Sequence, residues 1–210
     1  MIEQGTDEWF AVRCGKVTAS RIADMLARTK TGWGASRMNY CAQLVAERLT
    51  GAVAESYVSP PMLRGMETEA EARSVYEMTI GQNVKQIGFV VHPNIDMSGA
   101  SPDGLVGDAG LVEIKCPNTA THIATLLGGS VPGKYRLQMQ WQMACTGRQW
   151  CDFVSYDPRM PEQMRLFVDR IERCDETIAD VEKEAIVFLG EVQEIVDQLT
   201  RRYGSRIAAE

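Results

Sequence analysis

Between Asp175 and Tyr203 apolar residues fall at Ile178, Val181, Ala185, Phe188, Val192, Ile195 and Leu199, every third or fourth position, and predict one long amphipathic helix. The same period predicts shorter helices elsewhere. Asp7 to Arg13 opens on acids suited to a helix N-terminus, with Gly15 as its stop, and Thr18 or Ser20 is placed to cap a second helix running to about Ala27. After a loop from Lys30 to Ser36, a third helix spans Arg37 to Leu49 and ends at Gly51. A turn at Val58 to Pro61 precedes a stretch of strong helix formers from Met62 to Thr79, closed by Gly81. Periodicity does not decide which acid of that helix faces inward; Glu69 lies on the flank of the Leu63, Met66, Ala70 stripe. Thr119 to Leu127 and Tyr135 to Cys145 are further helices. Gln138, Gln140 and Gln142 of the latter alternate, so one or two of them at most face a common site. Apolar, β-branched runs at Val84–Val91, Ile95–Ala100, Leu111–Cys116, Trp150–Tyr156 and Met164–Val168 predict strands, the last two flanking a turn at Asp157 to Pro161. The expected fold is α/β in the α+β sense: a central mixed sheet flanked by helices, with the long helix last.

Length then bounds the architecture. A chain of 210 residues suits one domain with a sizeable core, taken here as residues 1–210. No apolar run reaches 18 residues and no basic-apolar leader is present, so the expectation is a cytoplasmic protein with no membrane partner. Six cysteines form no CxxC pair and read as reduced thiols, and two histidines leave little material for a zinc site or a histidine triad. The net charge of −6 is uneven. Residues 161–199 hold eleven acids and four bases, whereas residues 1–50 hold seven bases and five acids. A basic working face backed by an acidic one is therefore compatible with a nucleic-acid partner.

The strongest chemical signal lies between Gly99 and Pro117. Gly104, Gly107, Asp108 and Gly110 supply turn chemistry, and the run after them has the look of a strand, giving a tight hairpin. Side chains two apart on a strand share a face, so Glu113 and Lys115 project together while Val112 and Ile114 turn to the core. Asp103 returns along the neighbouring strand toward Glu113. Two carboxylates side by side repel unless a cation lies between them, and Mg²⁺ suits a site with few acids and several waters. Asp103 and Glu113 as metal ligands, the Ile114 carbonyl as a further one, and Lys115 orienting a water or stabilising developing charge together suit phosphodiester hydrolysis.

Pro102-Asp103 followed by Glu113-Ile-Lys115 resembles the PD-(D/E)xK nuclease superfamily, whose core is restriction-endonuclease-like. The fuller string Ser-Pro-Asp-Gly-Leu … Leu-Val-Glu-Ile-Lys-Cys-Pro is similar to the bacteriophage lambda exonuclease branch, the YqaJ-type viral recombinases. Three more segments resemble the same branch in the same order: Gln4-Gly-Thr-Asp-Glu-Trp … Arg13-Cys-Gly-Lys-Val-Thr-Ala-Ser20, then Gly65-Met-Glu-Thr-Glu69, then Gln138-Met-Gln140 with Tyr156-Asp-Pro-Arg-Met160.

The resemblance implies a Mg²⁺-dependent processive 5′→3′ exonuclease, encoded by a phage or prophage. It would degrade the 5′-ended strand of linear duplex DNA to 5′-mononucleotides by two-metal hydrolysis, with Mn²⁺ as a substitute ion. It implies a homotrimeric ring and a single-strand-annealing recombination partner that uses the 3′ overhangs. By the same likeness Asp103, Glu113 and the Ile114 carbonyl hold metal and Glu69 assists at a second ion. Lys115 handles the attacking water, Gln138 supports the site, and Arg13, Ser20 and Ser101 hold the terminal 5′-phosphate, an arrangement a forked guanidinium and two hydroxyls are suited to. Two alternatives are weaker. A Cas4- or RecB-like nuclease with an iron–sulfur cluster needs a tight cysteine group, but Cys145, Cys151 and Cys174 are widely spaced. An inactive DNA-end-binding trimeric scaffold conflicts with intact Asp103, Glu113 and Lys115.

Overall fold

The computed structural model describes residues 2, 4–53 and 60–204. Helix α1 (Asp7–Arg13) is capped by Thr6, whose hydroxyl accepts from the Trp9 N–H, and leads through Gly15 into strand β1 (Val17–Thr18). A 3₁₀ turn (Ala19–Arg21) and the short α2 (Ile22–Met25) follow, then β2 (Arg28–Thr29), β3 (Gly32–Trp33) and α3 (Ala35–Thr50). Next come α4 (Pro60–Ile80), β4 (Val84–Lys85), β5 (Val90–His92), β6 (Ile95–Ala100), β7 (Gly104–Val106) and β8 (Gly110–Lys115). The chain closes with α5 (Thr119–Gly128), α6 (Gly133–Thr146), β9 (Trp150–Tyr156), β10 (Leu166–Glu172) and α7 (Asp175–Tyr203).

The mixed α/β expectation holds, with the strands divided between sheets. A five-stranded sheet has the order β10-β9-β8-β7-β4, and only its β8–β9 pair is parallel. The crossover joining those two strands is α5 and α6. A three-stranded sheet, β1-β6-β5, pairs β1 with β6 in parallel, Thr18 opposite Gly99. Residues 101–103 pass from one sheet to the other.

Helices cover both faces of the large sheet. Val112 and Ile114 of β8 pack with Ala72 and Tyr76 of α4, while Leu111 packs with Met139 and Met143 of α6 on the opposite face. Strand alternation thus sends Glu113 toward α6, where it is 1% exposed rather than on an open surface. A third apolar cluster joins Ile22, Met25, Tyr40 and Leu44 to Val181, Ala185, Phe188 and Val192 of α7. Each fully buried Ile, Leu, Val, Met or Phe among them contributes about 1.5–3 kcal/mol. Arg37 is enclosed in the same region, donating to the Met25 carbonyl at 2.7 Å and to both Glu191 oxygens at 2.9 and 3.0 Å.

Several sequence expectations are corrected. Thr18 and Ser20 cap nothing with their side chains, because Thr18 is the last residue of β1 and the chain enters α2 through the 3₁₀ turn. The expected loop at 30–36 holds a hairpin, β2 against β3. The single strand expected over 84–91 is two, β4 and β5, which belong to different sheets. The final strand runs from Leu166 rather than Met164 and continues to Glu172: it is an edge strand, so its polar residues Asp169, Arg170 and Glu172 are tolerated. Of the expected turn at 58–61, residues 58–59 lie outside the described residues and Pro60 and Pro61 open α4. All six cysteines are free thiols.

Candidate active site

The β7–β8 hairpin turns at Gly107, whose φ of +52° favours glycine. Its register sets Gly104 opposite Val112, which carries Asp103 just past the paired stretch beside the end of β8. There Asp103 Oδ2 accepts from the Ile114 N–H at 2.6 Å. Glu113 sits inside a bracket of donors: Gln138 Nε2 reaches Oε1 and Gln142 Nε2 reaches Oε2, each at 2.5 Å, and the Lys115 ammonium forms an ion pair with Oε1. Gln140, between those two glutamines, faces away and holds the Glu172 carbonyl and the Cys174 N–H. So two of the three alternating glutamines share the site.

Glu69 enters from α4. It lines a cleft of about 660 Å³ with Gly65, Ile114, Lys115, Lys134 and Tyr135, and pairs with Arg73 one turn on at 2.6 Å. Gly65 rests against the Cys116 carbonyl, and Arg64 donates to the Pro117 carbonyl at 2.6 Å, so α4 is fastened to the end of β8.

The electrostatics follow from crowding acids in a partly dry place. Burial, with Glu113 and Glu69 nearby, holds the Asp103 carboxyl well above the usual carboxylate range against the opposing pull of Lys115. Burial works to discharge Lys115, but the attraction of Glu113 and Asp103 outweighs it and keeps the ammonium protonated. The neighbouring Cys116 thiol is pushed up to about 12 by burial and by Glu69, which disqualifies it as a thiolate nucleophile. Among the described residues no three His, Cys, Asp or Glu side chains gather into one metal-binding group. The Asp103 and Glu113 carboxylates, with Ile114 on the cleft wall between Glu113 and Lys115, offer oxygen donors of the kind a hard divalent cation would take.

A second cleft, of about 340 Å³, is lined by Trp9, Arg13, Lys16, Ser20, Arg21 and Tyr40 among others. The Arg13 guanidinium lies over the Trp9 ring at 3.7 Å, and the same indole donates from Nε1 to Ser101 Oγ at 2.9 Å. Trp9 thereby joins Arg13 to Ser101, while Ser20 shares the cleft directly. Burial pulls the Arg13 pKa down to about 10, partly offset by Tyr40 and Glu47, and it stays cationic at neutral pH. The turn after Arg13 is held from both sides: Glu47 accepts from the Gly15 N–H at 2.8 Å and Arg48 donates to the Gly15 carbonyl at 3.0 Å. Gln4 donates to the Pro102 carbonyl at 2.9 Å, docking the N-terminal segment on the link between the sheets. Ser101 is tied to this cleft through Trp9, Asp103 belongs to the carboxylate cluster, and two residues of chain span at most about 7 Å.

The residues expected from sequence thus fall into two adjacent groups. Asp103, Glu113, Ile114, Lys115, Gln138 and Glu69 form one; Arg13, Ser20 and Ser101 form the other. Sequence reasoning missed Gln142, Trp9, Lys134 and Tyr135. Gln142 had a readable signal, its i,i+4 spacing from Gln138; Trp9 had none, since its partner Ser101 is 92 residues away.

Residues 8–149, which include every residue of both groups, match the model of the YqaJ-like viral recombinase domain. The chain belongs to the YqaJ-like viral recombinase family. Its fold is that of an alkaline exonuclease (LHK-Exo) from Laribacter hongkongensis, 52% identical, with a TM-score of 0.89 over 95% of this chain and 99% of that one. The structure of LHK-Exo in complex with dAMP matches at a TM-score of 0.90 with the same identity and coverage. A phage related exonuclease from Haemophilus somnus 129PT shares the fold at 15% identity, with a TM-score of 0.70 over 88% of this chain and 96% of that one. No curated protein matches the chain. Among the described residues no helix is long and apolar enough to cross a membrane.

Proposed function

We propose that the protein is a Mg²⁺-dependent exonuclease that removes 5′-mononucleotides processively from the 5′-ended strand of linear duplex DNA, leaving 3′ overhangs for a single-strand-annealing partner. The observation that carries this reading is the adjacency of two unlike groups: an acid–lysine cluster that includes Asp103, and, bonded through Trp9 to Ser101 two residues before it, a cleft lined by Arg13, Lys16 and Arg21. The first suits cleavage of a phosphodiester; the second suits a terminal phosphate. Their closeness suits release of one nucleotide at a time from a captured end. Membership of a recombinase family, and an alkaline exonuclease relative solved with a mononucleotide, support it.

Asp103, Glu113 and the Ile114 carbonyl would hold the principal ion, with Glu69 at a second. When bound, Mg²⁺ (or Mn²⁺ in its place) neutralises phosphate charge and makes a bound water more acidic. Lys115 keeps its proton among the acids, so it donates to and orients the attacking water and the scissile oxygens rather than acting as a base. Gln138 holds Glu113 in place. Arg13 presents a planar fork to the end phosphate, with the Ser20 and Ser101 hydroxyls beside it. Processivity is assigned to a homotrimeric ring around the DNA, which light scattering in solution tests directly.

The deciding experiment digests linear duplexes bearing a 5′-phosphate or a 5′-hydroxyl, with Mg²⁺ or with EDTA, using wild type and Lys115→Ala. Loss of the 5′-ended strand only with Mg²⁺, faster from phosphate ends, is expected. The variant binds ends but cleaves about 10²- to 10³-fold more slowly. Digestion from 3′ ends, or full activity in the variant, rules the reading out.

A further inference from the structure

We propose that Gln142 is a positioning residue that fixes Glu113 as a one-oxygen ligand and thereby sets the site's preference for Mg²⁺ over Ca²⁺; the proposal rests on the metal-dependent reading above. Glu113 is a carboxylate planted on an apolar sheet face, among Leu111, Met139, Met143 and Phe153. A buried carboxylate oxygen without a donor is costly, so each oxygen needs one. The two oxygens are treated differently. Oε1 is met by Lys115, which lines the cleft, and by Gln138. Oε2 turns inward to Gln142, whose side chain is completely buried, so solvent does not take its place.

The orientation of that amide is determined. An ionised carboxylate only accepts, so the –NH₂ of Gln142 must face Oε2, and its Oε1 is left to the Cys151 thiol at 3.8 Å. Gln138 and Gln142 are one helical turn apart on α6 and grip opposite oxygens, which prevents the carboxylate from rotating about its last bond. With Oε2 committed inward, a carboxylate held this way would offer a cation Oε1, the Lys115 ammonium giving up its place there. Mg²⁺, small and strictly octahedral, is served by single carboxylate oxygens and waters, whereas the larger Ca²⁺ accepts two-oxygen chelation readily. Without the inner donor, Oε2 would be free to turn outward and serve as a second carboxylate donor.

The test is calorimetric titration of the metal-free protein, without DNA, with MgCl₂ and with CaCl₂. In Gln142→Met the Mg²⁺ affinity is expected to fall about 10- to 100-fold, the usual cost of losing a partner of a metal ligand, and the Ca²⁺ affinity by less. Gln142→Asn keeps an amide but draws it back by one methylene, and carries the same expectation should the methionine variant not fold. Adding Gln142→Met to Glu113→Gln is expected to change neither affinity further, because the effect runs through the carboxylate. An unchanged Mg²⁺/Ca²⁺ ratio overturns the proposal, whether both affinities are retained or both fall in proportion, since a merely structural role weakens the two alike. A wild type that binds neither ion brings down the metal-dependent reading, and this inference with it.

Discussion

Trp9 shows how much one side chain does between two distant parts of the chain. Its ring face supports the Arg13 guanidinium and its N–H fixes Ser101, so the proposed phosphate cleft is assembled around an indole. The two functions are separable. Trp9→Phe keeps an aromatic face for Arg13 and deletes only the donor, worth about 0.5–1.5 kcal/mol, or about 2- to 10-fold in a rate or affinity. The expected result is a drop of that size in the preference for 5′-phosphate over 5′-hydroxyl ends, with the rate on hydroxyl ends little changed, measured as initial digestion rates. An equal loss on both substrates would show that the indole serves the fold instead. At this scale sequence is most informative where chemistry is local. Asp103, Glu113 and Lys115 are read from one hairpin because strand alternation and a tight turn suffice to bring them together. The Trp9–Ser101 bond has no such local rule, and neither residue type announces the other.

At the scale of elements, pattern works where one face is buried and the other wet. Helix α7 and strands β6 and β9 occupy the spans their apolar spacing predicts. Pattern fails at edges and at changes of sheet: β10 carries Arg170 and Glu172 because one edge is open, and the 84–91 run looks continuous although its two ends pair with different sheets. The turn between β9 and β10 illustrates a contact that pattern does not reveal. Asp157, fully buried, accepts from Arg159 at 2.7 and 2.8 Å and from the Thr119 hydroxyl at 2.7 Å, tying the start of α5 to the end of β9. Burial alone raises this carboxyl, but the hydrogen bonds from Arg159 and Thr119 outweigh it and hold it well below the usual carboxylate range. The folded state therefore favours the charged form, so the contribution to stability is present above the unfolded-state pKa of about 3.9 and is lost as pH falls below it. Asp157→Asn is expected to lower the melting temperature at pH 7 and to flatten its decline on acidification from about pH 4 downward. Calorimetric melts across that range check it; a variant with the wild-type acid limb removes Asp157 from the account.

For the whole molecule, a net charge of −6 has to be reconciled with the proposed polyanionic substrate. The reconciliation is spatial. Eight of the acids between residues 161 and 199 lie on α7, which packs on α2, α3 and α6 and lines neither of the two clefts. The lining bases are Arg13, Lys16 and Arg21 in one cleft and Lys115 and Lys134 in the other. Net charge is thus a poor guide to this protein's partner, and the local field along the two clefts a better one. Salt dependence distinguishes the two. Each phosphate neutralised by a bound cation releases counterions and adds about 0.9 to the slope of log K against log salt. Lys134 is exposed at the mouth of the carboxylate cleft, its ammonium 4.6 Å from the Tyr135 ring centre, and is placed to meet one phosphate. Binding of a 5′-phosphorylated duplex end, followed by fluorescence anisotropy in EDTA at increasing KCl, is expected to lose about 0.9 of slope in Lys134→Ala. Lys183→Ala, on α7 and paired with Asp180, removes the same formal charge and is expected to leave the slope as it was. If the two variants shift the slope equally, overall charge governs the encounter and the clefts hold no special place in it; if only Lys134 counts, DNA rests on the cleft face and α7 is left free of it.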